Sequence, residues 1–417
     1  MSLADPLVVS DTPRLSAGAA MHTSERIAVV GGGPAGAFAA AELARFGCKV
    51  VLFDEKLAWE KPCGGGLTDK AIAHWPFLRE AQAERNWISH CQLIAPSGRK
   101  VSFPLDRQIA IFSRKVLNGL LIEKARQAGT QVCQERVIGI ERTTAGWSLR
   151  TTSKSYGSDF VVLATGARNS FGKQFSRRLG PENFMMAAGY YIPGTHQTVQ
   201  IKFLKDLHGY IWVFPRADHF SVGICGRMQG MNTASLRRIL HDSVAEFGLT
   251  LDGGKFYAHI IPSLTVNALQ RPFSGDGWAM VGDAAGFVDA ITGEGIYYSL
   301  RSAEQLANAL QQNAPEKYPG FVREDFLPEL EHASRIAGRF YAGDWMGDAV
   351  IERMVQLTAR STRFRELMRD LFAGTQEYSD LRERVYRNLP RIAAEAVVST
   401  VWTPPSDMRS RAAVGQQ

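Results

Sequence analysis

The segment RIAVVGGGPAGAFAAAELARFGCKVVLFDEK, residues 26–56, leaves few folds open to this chain. An apolar run, a glycine turn, an alanine-rich helical stretch closed by Gly47 and a second apolar run predict a βαβ unit with parallel strands. Gly31, Gly33 and Gly36 form G-x-G-x-x-G at the strand-to-helix turn, with Pro34 and Ala35 between them. The first glycine permits the tight turn, the second admits a pyrophosphate, and the third lets helix and strand pack closely. The helix start adds roughly half a positive charge where phosphates would sit. Asp54, at the end of the second strand with Glu55 beside it, is placed to accept hydrogen bonds from a ribose diol.

A second small-residue cluster, GWAMVGDAAGFVDAITGEGI at residues 277–296, again follows an apolar strand. Asp283 at that strand end is expected to hold ribityl and ribose hydroxyls, or else to cap a helix. Gly293, Gly295 and Ile296 would bring backbone N–H groups toward a flavin ring. Both clusters in one chain favour FAD over NAD as the cofactor.

Between them lie strand-like alternation near residues 86–112, a helix from Arg114 to Gly129 and the apolar run FVVLAT at 160–165. A β-rich block follows over 184–266, and after GWAMVGDAAGF the pattern is helical to about residue 399. At 417 residues the chain implies two or three lobes. The net charge of +7 is spread without a like-charge run, which argues against nucleic acid. It suits an anionic cofactor, an anionic lipid head or a membrane surface. The arginine-rich stretch 358–391 reads as a solvated face, with anionic lipid as the other reading.

Cys48, Cys63, Cys91, Cys133 and Cys225 lie far apart with no ligand spacing, so no metal or cluster is expected and a reducing cytoplasm is the natural setting. Residues 1–24 lack the features of a signal peptide and read as a disordered leader, with Met21 an alternative start. No apolar run reaches the ~18 residues of a spanning helix.

Tyr210, Trp212 and Phe214, followed by Pro215, alternate along a strand and set three aromatic rings on one sheet face. Such a wall suits a long isoprenoid chain, a flat aromatic substrate or plain core. His208, just before that strand, reads as a surface hairpin residue.

In VVGGGPAG at 29, KPCGGGLTDKAI at 61, GYIWVFP at 209, GDAAGFVDAITGEGI at 282 and LMRDLFAGTQEYSDL at 367, the chain resembles the FAD-dependent oxidoreductases of the para-hydroxybenzoate hydroxylase superfamily. Within it the chain resembles the geranylgeranyl reductases, to which the second and third stretches are the more specific. The resemblance implies a Rossmann-like FAD-binding domain (25–75, 113–180 and 276–315) interleaved with a β-rich substrate domain (76–112 and 181–275). A helical C-terminal region (316–400) and a flexible tail (401–417) would follow.

It carries FAD binding onto Gly31, Gly33, Gly36, Asp54, Arg114, Val137 and Asp283. Gly166 and the loop Cys63, Gly64, Gly65, Gly66 would join them, the glycines letting backbone pass one face of the flavin, with Thr68 capping the next helix. The implied activity is saturation of isoprenoid C=C bonds by hydride from reduced flavin. Tyr210, Trp212, Phe214 and Pro215 would bind the hydrophobic substrate, and Cys63 would be proton donor or relay, or packing. A monooxygenase or halogenase acting on an aromatic metabolite is the alternative. A third reading is an electron-transfer flavoprotein docking through its basic tail. Hydroxylating relatives carry Asp-Gly where this chain has ATGARNS, with Thr165 in the acidic position. That leaves NADPH or a ferredoxin-like carrier as electron donor, with peripheral membrane association a further expectation.

Overall fold

The computed structural model describes residues 25–228, 230–345 and 348–402. The leader 1–24, with Met21, and residues 403–417 lie outside the described residues.

A six-stranded sheet forms one layer, in the order Ser274–Gly275, Trp278–Met280, Phe160–Leu163, Arg26–Val30, Lys49–Phe53, Gln131–Cys133. All its pairings are parallel except the terminal hairpin. Strand Arg26–Val30 is central and buried along Ile27 to Val30, as expected of a parallel strand covered on both faces. Helix Pro34–Arg45 begins on proline and ends at Gly47, whose φ of 90° reverses the chain. Its alanines are buried because helices Arg114–Gln127 and Ile296–Gln311 both pack on it. The reversal of strand order beside Arg26–Val30 opens a crevice at the carboxyl ends of the strands.

The second layer is an eight-stranded sheet in the order Lys255–Pro262, Phe184–Pro193, His219–Arg227, Gly209–Pro215, Thr198–Phe203, Asn86–Ile94, Lys100–Ile111, Gly66–Leu67. It is antiparallel except where Thr198–Phe203 meets Asn86–Ile94. Gly66–Leu67, expected in the dinucleotide unit, instead pairs with Ala110 and Ile111 at the edge of this sheet. Gly65, at φ 87°, turns the chain onto that edge, and its carbonyl accepts the Phe112 N–H at 2.9 Å. Helix Thr233–Val244 covers one face through Leu236 and Leu240, packing on strands Phe184–Pro193 and His219–Arg227. A three-stranded sheet, Val137–Thr143, Gly146–Thr151 and Ser155–Ser158, flanks the parallel layer.

After Met280 the chain makes a short 3-10 turn, Gly282–Ala284, and a loop over 285–295. Helix therefore resumes at Ile296, later than the pattern predicted. Helices Val350–Arg360 and Thr362–Ala373 then pack on strand Lys100–Ile111, with helix Tyr378–Trp402 against them. This last helix runs two residues into the segment expected to be loose. In the stretch read as a solvated face, Phe364, Leu367 and Met368 are buried against the sheet. No helix among the described residues is long and apolar enough to cross a membrane.

Candidate active site

The two sheets meet at a cavity whose charged end lies at the crevice of the parallel layer. Gly33, Pro34, Ala35, Lys61, Arg114, Gly166, His259 and Asp283 line this end. Two helix starts border it, Pro34 and Ile296, each behind a glycine and neither capped by a side chain. In front of Gly33 is open space: an added Cβ would meet nothing within 4 Å. Lys61 Nζ sits 3.5 Å from Asp283 Oδ2. Arg114 is only 4 % exposed, and its Nε has no hydrogen-bond partner. Burial, then Lys61, pushes the His259 imidazole down to about 3, so it is neutral at physiological pH.

The middle of the cavity is lined by Cys63, Gly64, Gly65 and Gly66 and by Tyr210, Trp212 and Phe214, with Gly64 packed against the Phe214 ring. Gly293, Glu294, Gly295 and Ile296 close the floor, and the Tyr210 hydroxyl donates to the Thr292 carbonyl there. Beyond the aromatic wall the lining is apolar. Leu93, Ile109, Val199, Ile201 and Phe203 come from the sheet, and Met354, Met368, Leu371, Phe372 and Leu381 from the C-terminal helices.

The loop before Gly64 is held by main-chain contacts. Arg216, fully buried, donates to the Cys63 carbonyl at 2.7 Å and pairs with Glu60 at 2.5 Å. Ser221 also donates to the Cys63 carbonyl, at 3.1 Å, and Tyr191 to the Lys61 carbonyl at 3.2 Å. Glu60 in turn accepts the Arg114 N–H at 2.9 Å. Burial opposes its charge, but Arg216 and that amide hold the carboxyl below its ordinary range. The Cys63 thiol faces the cavity, its Sγ accepting the Gly65 N–H at 3.3 Å.

Several predicted residues lie outside the lining. Gly31, at φ 109°, and Gly36 draw strand and helix together, since a Cβ at Gly36 would stand 1.9 Å from the Gly31 carbonyl oxygen. The Asp54 carboxylate accepts N–H groups of Gly32, Lys56 and Leu57 at 2.7 to 2.9 Å and so orders the glycine turn itself. Glu55 is exposed and Val137 is buried at the start of its strand. Pro215 falls on the opposite face from the aromatics, as strand alternation requires, and its carbonyl accepts from Asn86.

Thr68 precedes helix Asp69–His74 but does not cap it: its hydroxyl donates to Glu294 instead. His208 is half-buried against Tyr341, ring centroids 4.5 Å apart, rather than on an exposed hairpin. Thr165 donates to Asn169, which donates to the Ala284 carbonyl, so this position braces the Gly282–Ala284 turn.

The family model described as pyridine nucleotide-disulphide oxidoreductase matches residues 25–173. The geranylgeranyl diphosphate reductase of Synechocystis sp. is 31 % identical over 317 residues, spanning 68 % of this chain and 75 % of that protein. The chain belongs to the geranylgeranyl reductase family. It is thus an FAD-dependent oxidoreductase, and FAD is its cofactor. The solved structure of a geranylgeranyl bacteriochlorophyll reductase-like protein from Thermoplasma acidophilum shares the reductase fold at TM-score 0.74 and 20 % identity, covering 90 % of this chain and 99 % of that one. A flavin-dependent brominase, Bmp2, has the same fold at TM-score 0.68 and 15 % identity, over 88 % and 100 %.

In this reductase, sequence spacing did not single out Arg216, Glu60, Ser221, His259 or Glu294. Glu294 lies within the Thr-Gly-Glu-Gly turn, where the glycines carry the local signal. Arg216 follows the aromatic strand directly, and a charged residue closing an apolar strand was the available signal.

Proposed function

We propose that this enzyme uses reduced FAD to saturate carbon–carbon double bonds of a geranylgeranyl or related isoprenoid compound. The observation that carries the reading is the continuity of the cavity, from a charged crevice past an aromatic wall into an apolar space without a charged side chain. An isoprenoid chain lying there gains ~0.8 kcal/mol per buried CH₂, less the cost of ordering it. The Synechocystis relative is named a geranylgeranyl diphosphate reductase, which agrees with that lining.

The residues present suit the cofactor. The open space at Gly33 and the buried Arg114 with an unpartnered Nε support a pyrophosphate between them. In this reading Gly31, Gly33, Pro34, Ala35, Gly36 and Arg114 hold the pyrophosphate, and Asp54, Glu55 and Val137 the adenosine end. Asp283, Gly166, Gly293, Gly295, Ile296 and the loop 63–66 surround the ribityl chain and ring. The FAD-binding and substrate domains have the boundaries given above, except that Gly66–Leu67 goes with the sheet of the substrate domain.

When bound and reduced, FAD supplies a hydride for one alkene carbon. An isolated alkene offers no enolate to stabilise, so the protein acts by position and by supplying a proton. Tyr210, Trp212 and Phe214 orient the chain, the C-terminal helices exclude water, and Cys63 packs beside the ring. The donor that reduces FAD is NADPH or a ferredoxin-like carrier. The test is anaerobic: dithionite-reduced enzyme is reoxidised by geranylgeranyl compounds and left reduced by saturated phytanyl ones. Equal behaviour of the two would refute the reading.

A further inference from the structure

We propose that Glu294, on the cavity floor, is the acid that delivers the proton to the second alkene carbon; this rests on the isoprenoid-reductase reading above. The alkene π bond breaks as one carbon takes the hydride that reduced FAD supplies. The other carbon forms its C–H bond as the Glu294 O–H breaks. The two electrons come with the hydride, and the carboxylate left behind recovers a proton from solvent by way of Thr68 and Lys70.

The location supports this. Glu294 lines the cavity in the same turn as Gly293 and Gly295, the turn that Tyr210 of the aromatic wall grips through the Thr292 carbonyl. Thr68, which follows the triple-glycine loop, donates to Glu294 Oε1 at 3.4 Å. Lys70, on the helix that Thr68 begins, lies over the Tyr297 ring at 4.8 Å. The groups facing Glu294 are Asp289 in its own turn, Thr68 just before helix Asp69–His74 and Lys70 within it, Tyr297 and Tyr298 from helix Ile296–Gln311, and Tyr378 at the start of the last helix.

Burial, then the Asp289 charge, raises the carboxyl to about 7 against the opposing pull of Lys70 and Thr68, so at neutral pH it both holds and releases a proton. The other acids of the cavity are less suited. Burial drives the Tyr210, Tyr257 and Tyr378 phenols well up, and the Tyr210 proton is committed to the Thr292 carbonyl. Lys61 is paired with Asp283.

The experiment compares wild-type holoenzyme with Glu294→Gln and Cys63→Ala. Glu294→Gln is expected to keep its flavin spectrum while anaerobic reoxidation by a geranylgeranyl compound slows about 100-fold or more. Its rate is expected to lose the wild-type decline above about pH 7, whereas Cys63→Ala keeps that decline and slows less than about tenfold. A second readout needs no turnover. A carboxyl raised on folding withdraws stability as pH climbs from its unfolded value toward about 7, and the deficit persists above. The melting temperature of Glu294→Gln should therefore exceed that of wild type by more at pH 8 than at pH 5. Glu294→Gln turning over at the wild-type rate with the wild-type pH profile overturns the assignment, as does a melting difference that ignores pH. Wild type that no prenyl compound reoxidises removes the isoprenoid reading, and the proton assignment with it.

Discussion

Gly64 shows how one missing side chain sets the geometry of this site. A Cβ there would stand 2.4 Å from the Phe214 ring, and one on Gly65, at φ 87°, would stand 2.0 Å from the Phe112 carbonyl oxygen. The glycines are thus required by protein packing on two sides, in addition to any approach of backbone to the flavin. Gly64→Ala is expected to destabilise by about 1–3 kcal/mol through overpacking against Phe214. Phe214→Leu in the same chain should return at least half of that loss. Urea unfolding of the single and double variants checks it, and an unchanged midpoint for Gly64→Ala would refute it. The glycines were legible in the sequence because close backbone approach admits no other residue. Their neighbours were not, since Phe112 and Phe214 reach the loop only through the folded sheet.

Among elements, the aromatic strand Gly209–Pro215 and the loop after Glu60 act as one unit through Arg216, which ends the strand and binds both the Cys63 carbonyl and the Glu60 carboxylate. Glu60 extends the unit to the start of helix Arg114–Gln127. Aromatic strand, loop and helix Arg114–Gln127 therefore share one charge pair, whose arginine is fully buried. Arg216→Lys keeps the charge but loses the forked geometry, and is expected to cost about 2 kcal/mol or more in chemical denaturation. Stability within a few tenths of wild type would show that the pair does not couple these elements.

Periodicity made the elements themselves plain: the parallel unit, the aromatic face and the glycine-capped helices all follow from patterns of 2.0 and 3.6 residues. The edge pairing of Gly66–Leu67 with Ala110 and Ile111 was not legible, because two residues carry no period. Nor was the late start of helix Ile296–Gln311, because the small residues before it suit a loop and a helix alike.

For the whole molecule, the parallel layer supplies the charged end of the cavity, and the antiparallel sheet with the C-terminal helices supplies the apolar end. Leu371 and Phe372 come from helix Thr362–Ala373, so the helical region lines the apolar end of the cavity as well as covering it. The sequence marked that region as helical, but its chamber-lining role depends on which face meets strand Lys100–Ile111. Leu371→Trp is expected to fill the apolar end. FAD content should stay unchanged while reoxidation by a twenty-carbon substrate falls at least about tenfold relative to a ten-carbon one, judged from the burial gain per CH₂. Equal loss with both lengths would place the chain elsewhere.

Reduction of an isoprenoid double bond by this fold is read without ambiguity from the mass of the product. One anaerobic turnover of reduced enzyme with a geranylgeranyl compound should yield product two mass units heavier per reduced bond. Unchanged substrate, with oxygenated or halogenated product forming only when O₂ is admitted, would contradict it.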